Sequence, residues 1–189
     1  MRPRGVVCAL TVVALCISSC SLSASNAPLR GSGFGFFATA ADAGSRKDDL
    51  AVDVLQYKGP GPIEIVGVTP RMIGRLHFDG AFLLAAPDNN PGGAIEHAPF
   101  QVLAGESFTP ISASHHPTIR QGSQQYLVVR VNIPSNKAAG ATLSVEVDYL
   151  SGGSVHSTTN GLVVAMCRGG FTTVACDAIS NQARAFTES

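Results

Sequence analysis

Two stretches in the second half of the chain restrict its fold more than anything else in it. Apolar residues recur at every second position across 126–133 and again across 141–150. In the first, Leu127, Val129, Val131 and Ile133 fall on one side of an extended chain, with Tyr126, Val128, Arg130 and Asn132 on the other. In the second, Leu143, Val145, Val147 and Tyr149 alternate with Ser144, Glu146 and Asp148. A strand turns successive side chains to opposite faces, so this period of two predicts antiparallel strands with one face in a core and one in water. Ser151-Gly152-Gly153 then supplies a turn into a further run, 154–167. Within that run Asn160-Gly161 reads either as a hairpin turn or as a bulge in one bent strand.

The first half adds shorter segments of the same kind. Ile63, Ile65 and Gly67 share a face opposite Glu64 and Val66, and Thr69-Pro70 closes the run. Leu76, Phe78, Phe82 and Leu84 mark a pair of short apolar segments interrupted by Asp79-Gly80, a hairpin or bulge signal. Phe100, Val102 and Leu103 make a shorter strand candidate. The one helical stripe is in the tail, where Ile179, Gln182, Ala183 and Phe186 follow Asp177 as the expected cap. Seven or so short strands separated by turn residues predict an all-β fold, a single antiparallel β-sandwich over 50–176 with a C-terminal tail over 177–189. The run 143–149, then Gly152-Gly153 and a last strand ending at Cys167, resembles the closing hairpin of immunoglobulin-like domains in bacterial surface and periplasmic proteins. That resemblance implies an immunoglobulin-like topology. The chain departs from antibody domains in having no Trp and in carrying both late cysteines at one end.

The N-terminus has the layout of an export signal: Arg2 and Arg4, an apolar run over 6–17, then Ser, Ala and Asn. A run of about a dozen residues is short of the ~20 needed to span a bilayer, so the segment is expected to be cleaved. Ile17-Ser18-Ser19-Cys20 resembles the lipobox of bacterial lipoproteins, with an aliphatic residue three before the cysteine and two small residues between. The resemblance implies that the Cys20 thiol receives a diacylglycerol and that 1–19 is removed as a lipoprotein signal peptide. Cys8 and Cys16 fit worse, because Val7 and Leu15 occupy the position that wants a small side chain. The alternative is ordinary signal peptidase cleavage after Ser25-Asn26-Ala27. Two or more acyl chains such as palmitate hold a protein stably where one does not, so the mature chain is expected on the cell membrane, lipid-anchored, at its extracytoplasmic face. From 20 to 49 Ser, Ala and Gly dominate, which reads as a flexible lipidated tether with a reach of ~30 Å. Gly33-Phe34-Gly35-Phe36-Phe37 is an aromatic interruption in that tether, placed either to dip into lipid or to dock on the domain.

Without Arg2 and Arg4 the chain carries eleven basic against thirteen acidic residues, which leaves no basic field for nucleic acid. Of five cysteines, Cys8 and Cys16 leave with the leader and Cys20 is acylated, so Cys167 and Cys176 remain. In an exported chain two remaining thiols are expected to form a disulfide.

Chemical motifs are sparse. Ser107 in Gly105-Glu106-Ser107-Phe108-Thr109 lacks the second glycine of a nucleophile elbow, and neither a Gly-rich phosphate loop nor His-Glu-x-x-His occurs. His115-His116 precedes Pro117, with His77, His97 and His156 elsewhere. Adjacent histidines on an extended chain point to opposite sides and make a poor chelate. Copper-type sites would want Met near His, and Met72 and Met166 are the only mature methionines. No catalytic residue, metal ligand or cofactor is therefore assigned. The expected function is a non-enzymatic binding or structural domain of the bacterial envelope, held to the membrane by lipid and facing an envelope protein or cell-wall component. Its expected binding loops are 86–99 and 105–124, which are long, polar and rich in Pro, Gly or His. The alternatives are an exported copper or zinc carrier using loop histidines, and an envelope hydrolase.

Overall fold

A computed structural model describes residues 27–31, 34–41, 49–85, 108–134, 138–169 and 173–188. The leader with Cys20, the 86–99 loop, Phe100, Val102, Leu103 and Ser107 lie outside the described residues. Ten strands follow in chain order: β1 (Leu29–Gly31), β2 (Phe34–Ala41), β3 (Asp49–Tyr57), β4 (Ile63–Gly74), β5 (His77–Ala85), β6 (Thr109–Ile111), β7 (Thr118–Ile119), β8 (Gln124–Asn132), β9 (Ala139–Ser151) and β10 (Ser154–Arg168). Among the described residues one helix, α1 (Val174–Thr187), follows them.

Gly152 and Gly153 take φ of 58° and 83°, so Ser151 and Ser154 pair directly across a two-residue turn. Positive φ at both central residues gives a turn whose twist matches that of the flanking strands, and glycine adopts it without steric cost. The closing hairpin β9–β10 is thus formed as expected. One sheet runs β1-β3-β8-β5-β6 and the other β2-β10-β9-β4-β7. The set β1, β3, β8, β5 against β4, β9, β10 corresponds to the ABED and CFG sheets of an immunoglobulin-like sandwich. The all-β sandwich expected from the alternation is therefore the fold. Apart from the parallel pair β2–β10, its strand pairs are antiparallel.

Between the sheets lie Leu55, Tyr57, Ile65, Leu127, Val129, Val131, Val147, Leu162 and Met166, among others. Val145, Val147 and Tyr149 point into this core, but Leu143 does not. It packs with Ala141, Val163, Ala165 and Ala183 on the outer face, beneath α1. Pairing of β9 with β4 skips Leu143 between Ser144 and Thr142, and the pairing with β10 shifts between Gly161 and Val164. One extra residue in a strand flips the face of everything beyond it. Asn160-Gly161 is not a hairpin turn: both residues pair with β9 inside one strand, opposite Val145 and Ser144, directly before the bulge at Leu162-Val163. Asp79 is likewise a bulge within β5 rather than a break between two segments. Thr69-Pro70 does not end its run either: β4 continues to Gly74. Beyond Glu64 it has no β7 neighbour, and an edge strand is where proline is tolerated.

Two boundaries are corrected. The proposed tether, 20–49, contains β1 and β2, which pair with β3 and β10, so much of it belongs to the sandwich. The proposed tail, 177–189, begins too late, because the helix starts at Val174. Its cap is Thr173, whose Oγ1 accepts from Cys176 N at 3.2 Å, and Asp177 sits in the first turn instead. Cys167 and Cys176 are bonded as expected, with Cα atoms 5.5 Å apart, Cys176 lying in the first turn of this helix. Closing a loop of this length contributes about 2.7 kcal/mol in the chain-entropy model.

Replacing Leu127 by Ala should cost about 2–5 kcal/mol, the lost burial plus the cavity left at a fully buried site. Thr159→Ala, on an exposed position of β10, should stay within about 0.5 kcal/mol. Urea unfolding of both variants reads the difference.

Candidate binding surface

The short links of the sandwich gather at two ends. At one, Tyr57 of β3 leads through Lys58-Gly59-Pro60-Gly61-Pro62 to Ile63 of β4. Ile119, paired with Ile63, leads through 120–123 into β8, and Gly122 N donates to Tyr57 O at 2.9 Å. The Gly152-Gly153 turn lies here too, since Leu150 pairs with Glu64. The chain also enters here: Lys58 N donates to Pro28 O at 2.8 Å and Leu29 pairs with Tyr57. The opposite end holds the β4–β5 link and the disulfide.

The entering chain crosses from one sheet to the other between β1 and β2, and a buried polar group fixes the crossing. Asn160 Oδ1 accepts from Gly31 N at 2.9 Å, while Asp53 Oδ1 accepts from Val54 N at 2.8 Å. Asp53 is 0% exposed and Asn160 7%. Both project between the sheets, since Asp53 shares the parity of core residues Ala51 and Leu55, and Asn160 that of Leu162. A Cβ on Gly31 would fall 2.1 Å from Asp53 Oδ2 and 2.6 Å from Asn160 Cγ, so no other residue fits without displacing one of them. In the sequence Asn160 stands out only as a turn or bulge signal, and Gly31 and Asp53 do not stand out at all. The signal was present as a single carboxylate within the apolar run Leu50 to Leu55. Buried polar residues of this kind cost stability unless hydrogen-bonded, and where satisfied they select one arrangement of the chain.

The 105–124 loop is described from Phe108 onward, and it is more ordered than its polarity suggested. β6 pairs with β5 in one sheet and β7 with β4 in the other, so this segment crosses between the sheets at the far edge from β1 and β2. Ser112 and His115 bridge the tip, and Ser112, Ala113, Ser114, His115 and His116 are exposed. Pro117 and Ile119 are buried. Among the described histidines, His77 and His156 belong to different sheets, and His97 lies outside the described residues. Among the described residues no three of His, Cys, Asp or Glu assemble.

His156 instead lies against Tyr149, ring centroids 5.5 Å apart and 26° from parallel. Burial raises the Tyr149 hydroxyl above its ordinary pKa of 10.0, with Tyr57 nearby adding to the rise. Tyr57 Oη donates to Pro60 O at 3.0 Å, which closes the 58–62 link over the core.

No protein-family model matches the chain, and no curated protein does. Among solved structures it is similar to PapD-like domain 7 (ASH / PapD-like) of human CEP192, at 10% identity and a TM-score of 0.35, covering 88% of this chain and 97% of that one. It is also similar to a family 123 glycoside hydrolase from Clostridium perfringens that acts on glycolipid glycans, at 12% identity and a TM-score of 0.34. That match covers 74% of this chain and 26% of the hydrolase.

Gly31→Ala is expected to destabilise by about 1–3 kcal/mol through overpacking against Asp53 and Asn160. Gly161→Ala, where a Cβ meets nothing within 4 Å, should be tolerated; thermal unfolding of the pair measures the contrast. Alkaline pH supplies a second expectation. Because folding raises the Tyr149 pKa, its contribution is intact below about pH 10 and is lost as pH climbs towards the raised value, the unfolded chain releasing its proton first. Tyr149→Phe should flatten that alkaline limb in unfolding experiments followed across pH.

Proposed function

We propose that the chain is a lipid-anchored, non-enzymatic domain of the bacterial envelope, presenting its sandwich outside the cytoplasmic membrane to bind or brace an envelope component. The observation that carries this reading is the Cys167–Cys176 bond, with both cysteines 1% exposed. Such bonds form and persist in oxidising compartments, and a chain that uses one structurally is suited to export. The Ile17-Ser18-Ser19-Cys20 pattern supports attachment through Cys20, and the twelve-residue apolar run before it supports a cleaved leader over a spanning helix. Among the described residues no helix is long and apolar enough to cross a membrane.

A binding role is supported by where the chain's irregular segments lie. The exposed 112–116 tip stands on a rigid double sheet, the arrangement in which loop sequence can vary without disturbing the core. The partner suited to this polar tip is another envelope protein or a cell-wall polymer.

Replacing Cys20 with Ser tests the anchor. Acylation should stop, and the leader should remain or be misprocessed. Mass spectrometry of the wild-type N-terminal peptide should show diacylglyceryl-Cys20; an unlipidated terminus at Pro28 would end this reading.

A further inference from the structure

We infer that the end of the sandwich where the chain enters is a contact surface for anionic phospholipid headgroups, one that stands the domain with its strands upright on the bilayer. The inference rests on the anchoring proposed above. Six residues lie between Cys20 and Ala27, a span of at most ~25 Å when extended and ~15 Å as a flexible coil. Because β1 and β2 belong to the sandwich, this short link replaces the long tether that would let the domain stand clear. The end nearest the anchor must then lie close to the membrane.

That end is suited to an anionic surface. Arg30, Lys58 and Arg120 are exposed there, and none of the three forms an ion pair among the described residues. Arg30 only donates through Nε to Ala27 O at 3.1 Å. Within two positions of the strand termini at this end, Glu64 is the one acidic residue among the described residues. Val155, 65% exposed, follows the Gly152-Gly153 turn and offers an apolar contact at headgroup level. Each Lys or Arg close to an anionic membrane strengthens association about fivefold, so three together supply a factor on the order of a hundred. The attraction decays over ~8 Å at physiological salt, a distance the short link permits.

The test uses the mature protein extracted from the producing envelope and reconstituted in vesicles of phosphatidylcholine, with or without phosphatidylglycerol. A fluorophore is placed by Ser154→Cys at the entering end or by His77→Cys at the opposite end, and a headgroup-bound quencher reports proximity. Quenching at position 154 but not 77, only with phosphatidylglycerol, is the expected result. It should disappear in high salt and in the Arg30→Gln, Lys58→Gln, Arg120→Gln variant, whose thermal unfolding should match the parent because all three side chains are exposed. Equal quenching at both ends, or quenching indifferent to the three charges, overturns the inference. Flotation in high salt reads the anchor separately, since acyl chains hold there and surface charge does not. If flotation is lost, the anchoring fails and the surface is judged by pelleting the same chain with phosphatidylglycerol vesicles at low salt. A roughly hundredfold advantage over the triple variant supports the surface; equal binding, or a preference for polyanionic wall polymer, overturns it.

Discussion

The sandwich depends on how its two open sides are closed. Two stacked sheets expose unpaired backbone groups along their outer strands, and such edges invite pairing with other chains. Here the chain itself crosses between the sheets on both sides, from β1 to β2 on one and from β6 to β7 on the other. The first crossing is fixed by Gly31, which lies against the buried side chains of Asp53 and Asn160. Those side chains come from β3 and β10, one from each sheet, so the contact ties the entering chain to both halves of the core. Where β4 is left as an edge, Pro70 and two bulges interrupt its ladder, features that discourage strand addition.

A second cover lies outside the core. Val52, Val54, Leu84, Tyr126 and Val128 form a buried cluster on the outer face of one sheet, with Phe82 and Phe108 meeting edge to face above it. On the other sheet α1 covers Ala141, Leu143, Val163 and Ala165. The helix is held by the disulfide at its start and by Arg71 over the Phe186 ring, 5.3 Å from its centroid, near its end. A cation over an aromatic face contributes about 0.5–1 kcal/mol at such a site, so the covalent link is the stronger fastening.

These features give the molecule two unlike ends. One end receives the chain and carries Arg30, Lys58, Arg120 and the two-glycine turn; the other carries the disulfide and the start of the helix. Attachment through Cys20, as proposed, would set the first towards the membrane and leave the 112–116 tip on the flank, clear of it. A binding or bracing role then needs no catalytic group, only a rigid body held at a fixed height.

The sequence by itself determined the sandwich, its closing hairpin and the disulfide, because a period of two, a Gly-Gly turn and a pair of late cysteines are local or countable properties. Leu127, Val129 and Val131 were placed on the correct face for that reason. Leu143 was not, since a single bulged residue reverses alternation without altering any residue type, and only pairing with β4 and β10 shows where it falls. β3 escaped notice because Val52 and Val54 are buried on one face and Ala51 and Leu55 on the other, which erases the period. The Ser- and Gly-rich composition of 20–49 suggested a tether, yet β1 and β2 are held there by backbone pairing to β3 and β10, and such pairing does not depend on apolar side chains. Tertiary structure alone decided the contact of Gly31 with Asp53 and Asn160, since residues up to 129 positions apart meet only when both sheets are in place.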